Sequence, residues 1–400
     1  MLKYSLVIPY RNRDLEVAKR CISSLIHQSI FQNNNIPVEA EIFFIDYGSD
    51  IEKSSELEKF CRETDRVTYI YTETRGKFWC KPEALNLALN ISTGDYFITI
   101  DVDMIHLPNF LEEISHYIEP NTLLHYQCCY LPPNFDYTNY LNTLQNTDIA
   151  SLEVSNKTSA LGIFAVKTSE IKQIGGFDEY FRMWGIEDKD IHYRLSRKLD
   201  VKWFPLEKSP VFHQWHPVSN NPLAQPKGWE KTVIDHYHNK YNKPKLIVHK
   251  KANGEKAGKL YKKEKRPALQ LFKNSNLKPN FSFEFPIEKA YSSFISQFMK
   301  LEKNESLILN QSFSLIDKTA TSKVAKGIRK INNLLEKVKV SYRMTELLKY
   351  EYGNIDFYQV RDFLFYFIVD FEDFIEDYYY RQENGTNGKP EKITLILFKK

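Results

Sequence analysis

Two hydrophobic patterns alternate along the first hundred residues. Short unbroken apolar runs rich in β-branched and aromatic residues occur at "YSLVIP" (4–9), "EIFFID" (41–46), "VTYIY" (67–71) and "DYFITID" (95–101), as buried strands require. Between them, segments 14–28, 52–62 and 81–91 carry apolar residues at helical spacing, and Pro82 suits a first helical turn. This alternation predicts an α/β fold with a mostly parallel central sheet flanked by helices. Ligands of such sheets bind beyond the carboxyl ends of the strands. The residues to inspect therefore follow each strand: "YRNR" after the first, "DYGSD" closing the second and "DVD" (101–103) ending the fourth.

Beyond about residue 240 the pattern weakens, which places a catalytic domain at 1–245. Residues 246–279 read as a basic linker, because "HKKANGEKAGKLYKKEKRP" (249–267) combines Lys with Gly and Asn. Residues 280–400 read as a smaller, mainly helical domain, from helical-looking stretches at 326–350 and 362–380 ahead of a strand-like "KITLILF".

Composition narrows the class. A net charge of +4 is too small for a general nucleic-acid binder. The five cysteines form no CxxC pattern, which suits a reducing compartment, and the adjacent Cys128 and Cys129 are expected in a buried segment. No stretch reaches the ~20 apolar residues that span a bilayer, and the N-terminus runs straight into a strand pattern without a long apolar signal region. These features predict a cytoplasmic protein. The basic and apolar positions at helical spacing in 326–350 would suit peripheral contact with the inner face of an anionic membrane, a packed helix being the plainer alternative.

Three constellations could carry chemistry. Asp101 and Asp103 end a strand as a pair of hard oxygen ligands suited to Mn²⁺ or Mg²⁺, with a solvated turn as the alternative. The apolar strand before them favours the cation, since carboxylates at its inner end are costly without one. His213 and His216 in "VFHQWHP" can set two imidazoles on one side of a turn, as metal ligands or as ordinary hydrogen-bonded histidines. His106 and His192 read as structural. The third is "GGFDEYFRMWGIEDKDIHYRL" (175–195). Its glycines suit an irregular turn, and Glu187, Asp188 and Asp190 fall in a first helical turn, where they complement the helix dipole. Trp184 beside a carboxylate would make an acceptor site: the ring stacks on a sugar face and the carboxylate takes a hydroxyl proton.

Together these motifs resemble the metal-dependent GT-A glycosyltransferases, especially the β-1,4-galactosyltransferase and chondroitin-polymerase branch. "IPYRNR" (8–13) is similar to that branch's donor-binding motif, "DVD" to its metal motif, and "GGFDEYFRMWGIEDKDIHYRL" to its G-F…W-G-x-E-D-x-D…R signature. "VFHQWHP" resembles the segment supplying its last metal ligand, and the four motifs keep the family's order over roughly residues 1–240.

The resemblance implies a GT-A fold and an inverting transferase that moves a hexose, hexosamine or uronic acid from a UDP-sugar, held through Mn²⁺ or Mg²⁺, to a glycan or lipid-linked glycan hydroxyl. Pro9, Tyr10 and Arg11 would line the nucleotide pocket, Asp46 would face the uracil and Lys81 would lie near the nucleotide. Asp101 would approach the ribose or a metal-bound water, Asp103 would bind the metal and His216 would complete its ligands. His213 stands where the galactosyltransferases carry methionine, so its role as a ligand stays open. Trp184 would cover donor and acceptor sugars from a mobile loop, Glu187 would hold a sugar hydroxyl and Asp188 would be the base. Retaining relatives commonly carry Asn at that place. Ile186 and Lys189 depart from the galactosyltransferase W-G-G-E-D-D-D, which leaves UDP-Gal, UDP-GalNAc, UDP-GlcNAc and UDP-GlcA open as donors. Two other readings compete: a metal-dependent nucleotidyltransferase or phosphoesterase, and a non-catalytic GT-A-like interaction protein.

Overall fold

The structure is a computed structural model that describes residues 2–33, 35–155, 161–183, 186–216, 226–229, 231–235, 266–274, 277–317, 350–352, 355–386 and 388–400. The chain divides into two compact units, Met1–Lys265 and Arg266–Lys400.

In the first unit, strands β1 (Leu2–Tyr10), β2 (Val38–Asp46), β3 (Val67–Tyr71) and β4 (Tyr96–Thr99) lie where the apolar runs predict them. Helices α1 (Leu15–Ile26), α2 (Ile51–Glu63) and α3 (Lys81–Ile91) separate them. The chain continues through β5 (Met104–His106), α4 (Phe110–Ser115), β6 (Thr122–His125), β7 (Cys128–Tyr130), α5 (Tyr140–Gln145), β8 (Glu153–Val154), β9 (Phe164–Lys167), α6 (Thr168–Gln173), α7 (Glu187–Ser196), β10 (Asp200–Trp203) and β11 (Val211–His213). The main sheet has the order β10-β6-β9-β4-β1-β2-β3. β1 pairs in parallel with β2 and β4, and β2 with β3, while β9 runs antiparallel between β4 and β6. The sheet is thus mixed, with parallel pairing through the half that the sequence pattern marks.

Burial explains that legibility. Seven consecutive residues of β1, from Tyr4 to Tyr10, are buried, so both faces are covered by helices and the strand reads as a continuous apolar run. α1 starts where the Asp14 carboxylate accepts from the N–H groups of Glu16 and Val17, and it buries Val17, Ala18, Cys21, Ile22 and Leu25 on one face.

The pairing aligns the carboxyl ends. Tyr10 lies opposite Asp46, and Val7 opposite Thr99. Residues 11–13 and 100–103 therefore leave the sheet at one edge. After β4 the chain turns at Asp101, whose carbonyl accepts from the Met104 N–H at 3.0 Å, and enters a second sheet of order β5-β11-β7-β8. A short strand thus stands between the acidic pair and the helix after Pro108. β11 is central in that sheet, with His213 opposite Met104 on one side and Tyr130 on the other. All five cysteines are free and buried, Cys128 and Cys129 in β7 among them.

α7 is locked to the turn before it. Arg194 is buried, donates to Asp190 Oδ2 at 2.8 Å and reaches the Gly176 carbonyl at 2.7 Å. Gly175 and Gly176 take φ of 83° and 78°, conformations that suit glycine. The ion pair and the glycine turn together aim the first turn of α7.

The second unit holds helices Pro267–Lys273, Ile287–Lys300 and Phe357–Asp370, with a three-stranded antiparallel sheet of Ser306–Ser312, Pro390–Lys399 and Ile375–Asn384. The pattern suggests a helix through residue 380. Instead the helix ends at Asp370 and a strand begins at Ile375, where burial alternates through Ile375, Glu376 and Asp377 and the tyrosines that follow suit a sheet. Buried Phe283, Phe294, Phe298 and Phe367 form much of the core between these helices. Of the basic segment 246–279, residues 246–265 lie outside the described residues, and Arg266 belongs to this unit through its 2.7 Å bond to buried Asp377. Of the stretch 326–350, read as helical and as a membrane-contact candidate, residues 326–349 also lie outside them, and Tyr350 opens a short strand, Tyr350–Tyr352. No helix among the described residues is long and apolar enough to cross a membrane.

Replacing Arg194 by Met removes the guanidinium from the buried Asp190 carboxylate. Urea unfolding of the Arg194→Met chain is expected to show a loss of about 3 kcal/mol or more, whereas removing the fully exposed Lys231 from its pair with Asp235 should leave the unfolding midpoint unchanged.

Candidate active site

At the shared edge lies a cavity of about 670 Å³. Pro9, Arg11, Lys81, Asp101, Asp103, Glu187, Asp188, His213 and His216 all line it, drawn from five separate segments of chain. That volume falls in the range of small-molecule sites.

Asp103 is the focus of one wall. It is 7 % exposed, and its Oδ2 faces His216 Nε2 at 3.3 Å, His213 Nε2 at 3.8 Å and Arg13 Nη2 at 3.8 Å. Burial alone would raise the pKa of this carboxyl. The His216 hydrogen bond and the charges of His213 and Arg13 outweigh burial and hold it below the ordinary value. His213 is shifted down, chiefly by burial, with the pull of Asp103 opposing. One carboxylate oxygen and two imidazole nitrogens lie within 4.8 Å of one another. Ligands about 2.1 Å from a common octahedral ion stand about 3 Å apart, and a carboxylate joined to imidazoles is acceptable to Mn²⁺, whereas Mg²⁺ prefers oxygen ligands alone, so these residues fit a divalent cation.

Gln214 holds the histidine turn in place. Its N–H donates to the Asp103 carbonyl at 2.8 Å, and its buried amide donates to the Val17 carbonyl at 2.9 Å and accepts from Arg20 at 2.7 Å. The two imidazoles are therefore tied to the acidic turn and to α1.

Lys81 organises the other wall from the first position of α3. Its ammonium lies 2.9 Å from Asp101 Oδ1 and 3.4 Å from Asp188 Oδ1. Burial opposes its charge, but Asp101, Asp188 and Glu187 outweigh burial and raise its pKa, so it stays an ammonium. Asp101 is shifted up by burial, with Lys81 opposing and Asp103 and Asp188 adding to the rise. Asp188 and Glu187 occupy the first turn of α7. The chain passes Trp184 and Gly185 between two left-handed residues, Met183 at φ 64° and Ile186 at φ 72°. For a β-branched residue that conformation costs about 1–2 kcal/mol. Trp184 itself lies outside the described residues.

Two expected donor residues are not brought to the cavity wall. Asp46 is fully buried, and its oxygens accept from Ser49 N–H at 2.8 Å, Ser54 Oγ at 2.7 Å and Tyr69 OH at 2.7 Å. The side chain braces the start of α2. Tyr10 is buried beneath the rim, its hydroxyl donating to the Arg13 carbonyl at 2.8 Å. His106 and His192 are structural in position: His106 packs on Phe110 at 4.6 Å between ring centres, and His192 Nδ1 lies 2.9 Å from His125 Nε2.

Other cavity residues escape the motif reading. Arg13 belongs to "YRNR" but is singled out only by its approach to Asp103. Tyr130, Ser155 and Gly162 reach the cavity through strand pairing across long sequence separations, and no local signal marks them.

Residues 5–184 match the model of the family "Glycosyl transferase family 2". The chain is 21% identical over 240 residues to chondroitin sulfate synthase 3 of Homo sapiens, across 57% of this chain and 26% of that protein. It is 30% identical over 122 residues to an uncharacterized glycosyltransferase of Rickettsia bellii (strain RML369-C), across 30% of this chain and 16% of that one. The chain thus spans about a quarter and a sixth of the length of these relatives. Among solved structures, S. aureus TarS 1-349 in complex with UDP is similar at 16% identity and a TM-score of 0.40, over 62% of this chain and 75% of that one.

Calorimetry with Mn²⁺ is expected to show binding that Asp103→Ala removes and His216→Ala weakens at least ~10-fold. The affinity is to fall as pH falls, because protonated imidazole cannot ligate. Burial lowers the His213 pKa, so its share of binding persists to lower pH than that of a solvent-exposed histidine, whose ordinary value is 6.5. Unchanged Mn²⁺ binding by Asp103→Ala would remove the triad from consideration.

Proposed function

Because the chain carries a glycosyl transferase family 2 domain, we propose that it is an inverting, divalent-cation-dependent glycosyltransferase moving a sugar from a UDP-sugar to a glycan hydroxyl. One observation carries the reading: the Asp103–His213–His216 group and the carboxylate of Asp188 line the same cavity from different elements. A phosphoesterase or nucleotidyltransferase also uses clustered acids and a divalent cation, but would not need a tryptophan such as Trp184 next to the base in sequence.

Asp103, His213 and His216 would hold Mn²⁺ or Mg²⁺, which when bound neutralises charge growing on a departing diphosphate. Arg13 beside Asp103 and Lys81 on the facing wall would add fixed positive charge, and Pro9 and Arg11 border the nucleotide. Arg11 donates to the Lys77 carbonyl at 2.7 Å, which joins the donor motif to the loop ahead of α3. Tyr10 and Asp46 support this rim from beneath.

Asp188 acts as general base. Its carboxylate takes the proton of the acceptor hydroxyl as that oxygen bonds to the anomeric carbon, and the bond from that carbon to the diphosphate oxygen breaks. Attack from the face opposite the leaving group inverts the centre, giving a β-linked product from an α-linked donor. Glu187, one residue earlier in the same helical turn, holds a sugar hydroxyl. Lys81 bridges Asp101 and Asp188, and so couples the donor side of the cavity to the base. The resemblance of "MWGIED" to the family signature supports Trp184 as the cover over both sugars.

The test is a screen of UDP-sugars with Mn²⁺ against short glycan acceptors, read by mass spectrometry. Transfer is expected from one or a few donors. Asp188→Asn should lower kcat by ~10²–10⁴-fold with UDP binding retained. Near-normal turnover of Asp188→Asn would move the base elsewhere. Release of inorganic phosphate or pyrophosphate without sugar transfer would favour the phosphoesterase or nucleotidyltransferase class.

A further inference from the structure

The carboxylate of Asp188 stands against bare backbone. A Cβ added to Gly162 would lie 2.5 Å from Asp188 Oδ2, 2.7 Å from its Cγ and 2.9 Å from Oδ1. Non-bonded carbon contacts settle near ~3.5–4.0 Å, so a methyl group and this carboxylate cannot share the space. On its other side the carboxylate faces Lys81 Nζ at 3.4 Å. It is thus held between the main chain at Gly162 and an ammonium.

That stretch of main chain is itself fixed. The Thr99 hydroxyl donates to the Gly162 carbonyl at 2.9 Å and accepts from the Phe164 N–H at 3.0 Å. Thr99 is 2 % exposed and closes β4, two residues before Asp101. The strand that delivers the acidic pair therefore also clamps the surface on which Asp188 rests.

We infer that Gly162, clamped by Thr99, is a positioning residue that sets the place of the Asp188 carboxylate relative to Asp101 and Asp103. The inference rests on Asp188 being the base. Gly162 contributes absence of volume, and Thr99 contributes stiffness. A side chain at 162 would push the carboxylate away from the acceptor hydroxyl while leaving the metal and nucleotide side intact.

Two measurements on the full chain test this. In steady-state kinetics with a UDP-sugar, Mn²⁺ and a glycan acceptor, Gly162→Ala is expected to lower kcat by ~100-fold, with donor KM and Mn²⁺-dependent UDP binding within about threefold of wild type. Thr99→Val, which keeps the shape and removes both hydrogen bonds, should lower kcat by ~10-fold with the same split. Retained kcat, or UDP binding lost in step with kcat, would overturn the positioning role. In thermal unfolding, Gly162→Ala should lower Tm in the wild-type background and have little effect beside Asp188→Ala, where no carboxylate remains to be displaced. Equal losses in both backgrounds would overturn the contact. If Gly162→Ala alone does not fold, folding of the double variant supports the proposal and failure of both overturns it. Should the wild type transfer no sugar, the proposed function falls, and the unfolding comparison still decides whether Gly162 seats Asp188.

Discussion

A buried carboxylate must be surrounded by positive or hydrogen-bonding groups, and Asp103 imposes that constraint on the first unit. Three groups from distant parts of the chain, Arg13, His213 and His216, turn toward its Oδ2. Each is delivered by a different device: the loop after β1, the end of β11, and the turn that Gln214 ties down. The desolvation cost of a lone carboxylate at this depth would be several kcal/mol. The assembly of the site is therefore also the condition for folding this edge of the sheet.

The opposite wall follows the same logic with the sign reversed. Lys81 is a buried cation that keeps its proton because Asp101, Asp188 and Glu187 surround it. Acidic and basic groups are thus interleaved across the cavity, with Arg13 beside Asp103 and Lys81 between Asp101 and Asp188. Such a cavity presents fixed charges that need little rearrangement when a charged ligand arrives.

The parts of this arrangement legible in the sequence are those set by local pattern. β1, β4 and the second half of β2 are buried on both faces and read as apolar runs, with β3 half-buried at the sheet edge, and the acids and histidines fall at strand ends. What local pattern cannot register is pairing. Tyr130 meets His213 because β7 and β11 run in parallel, and Gly162 meets Asp188 only after β9 has folded back beside β4. Asp46 shows the converse failure. It occupies a promising strand end, yet Ser49, Ser54 and Tyr69 absorb its oxygens, and a motif does not reveal local competition for lone pairs. In the second unit, the aromatic run at 362–380 satisfies helix and strand periodicity alike until Ile375 pairs with Lys399.

The shortness of β5, β7 and β11 carries its own consequence. Each is three residues long, and successive side chains along a strand point to opposite faces. A slip of one residue in β11 would swing His213 away from Asp103 and bring Phe212 round in its place. With so few ladder bonds to resist sliding, the alignment leans on the amide of Gln214, whose grip on α1 acts as a locating pin for the imidazoles beside it.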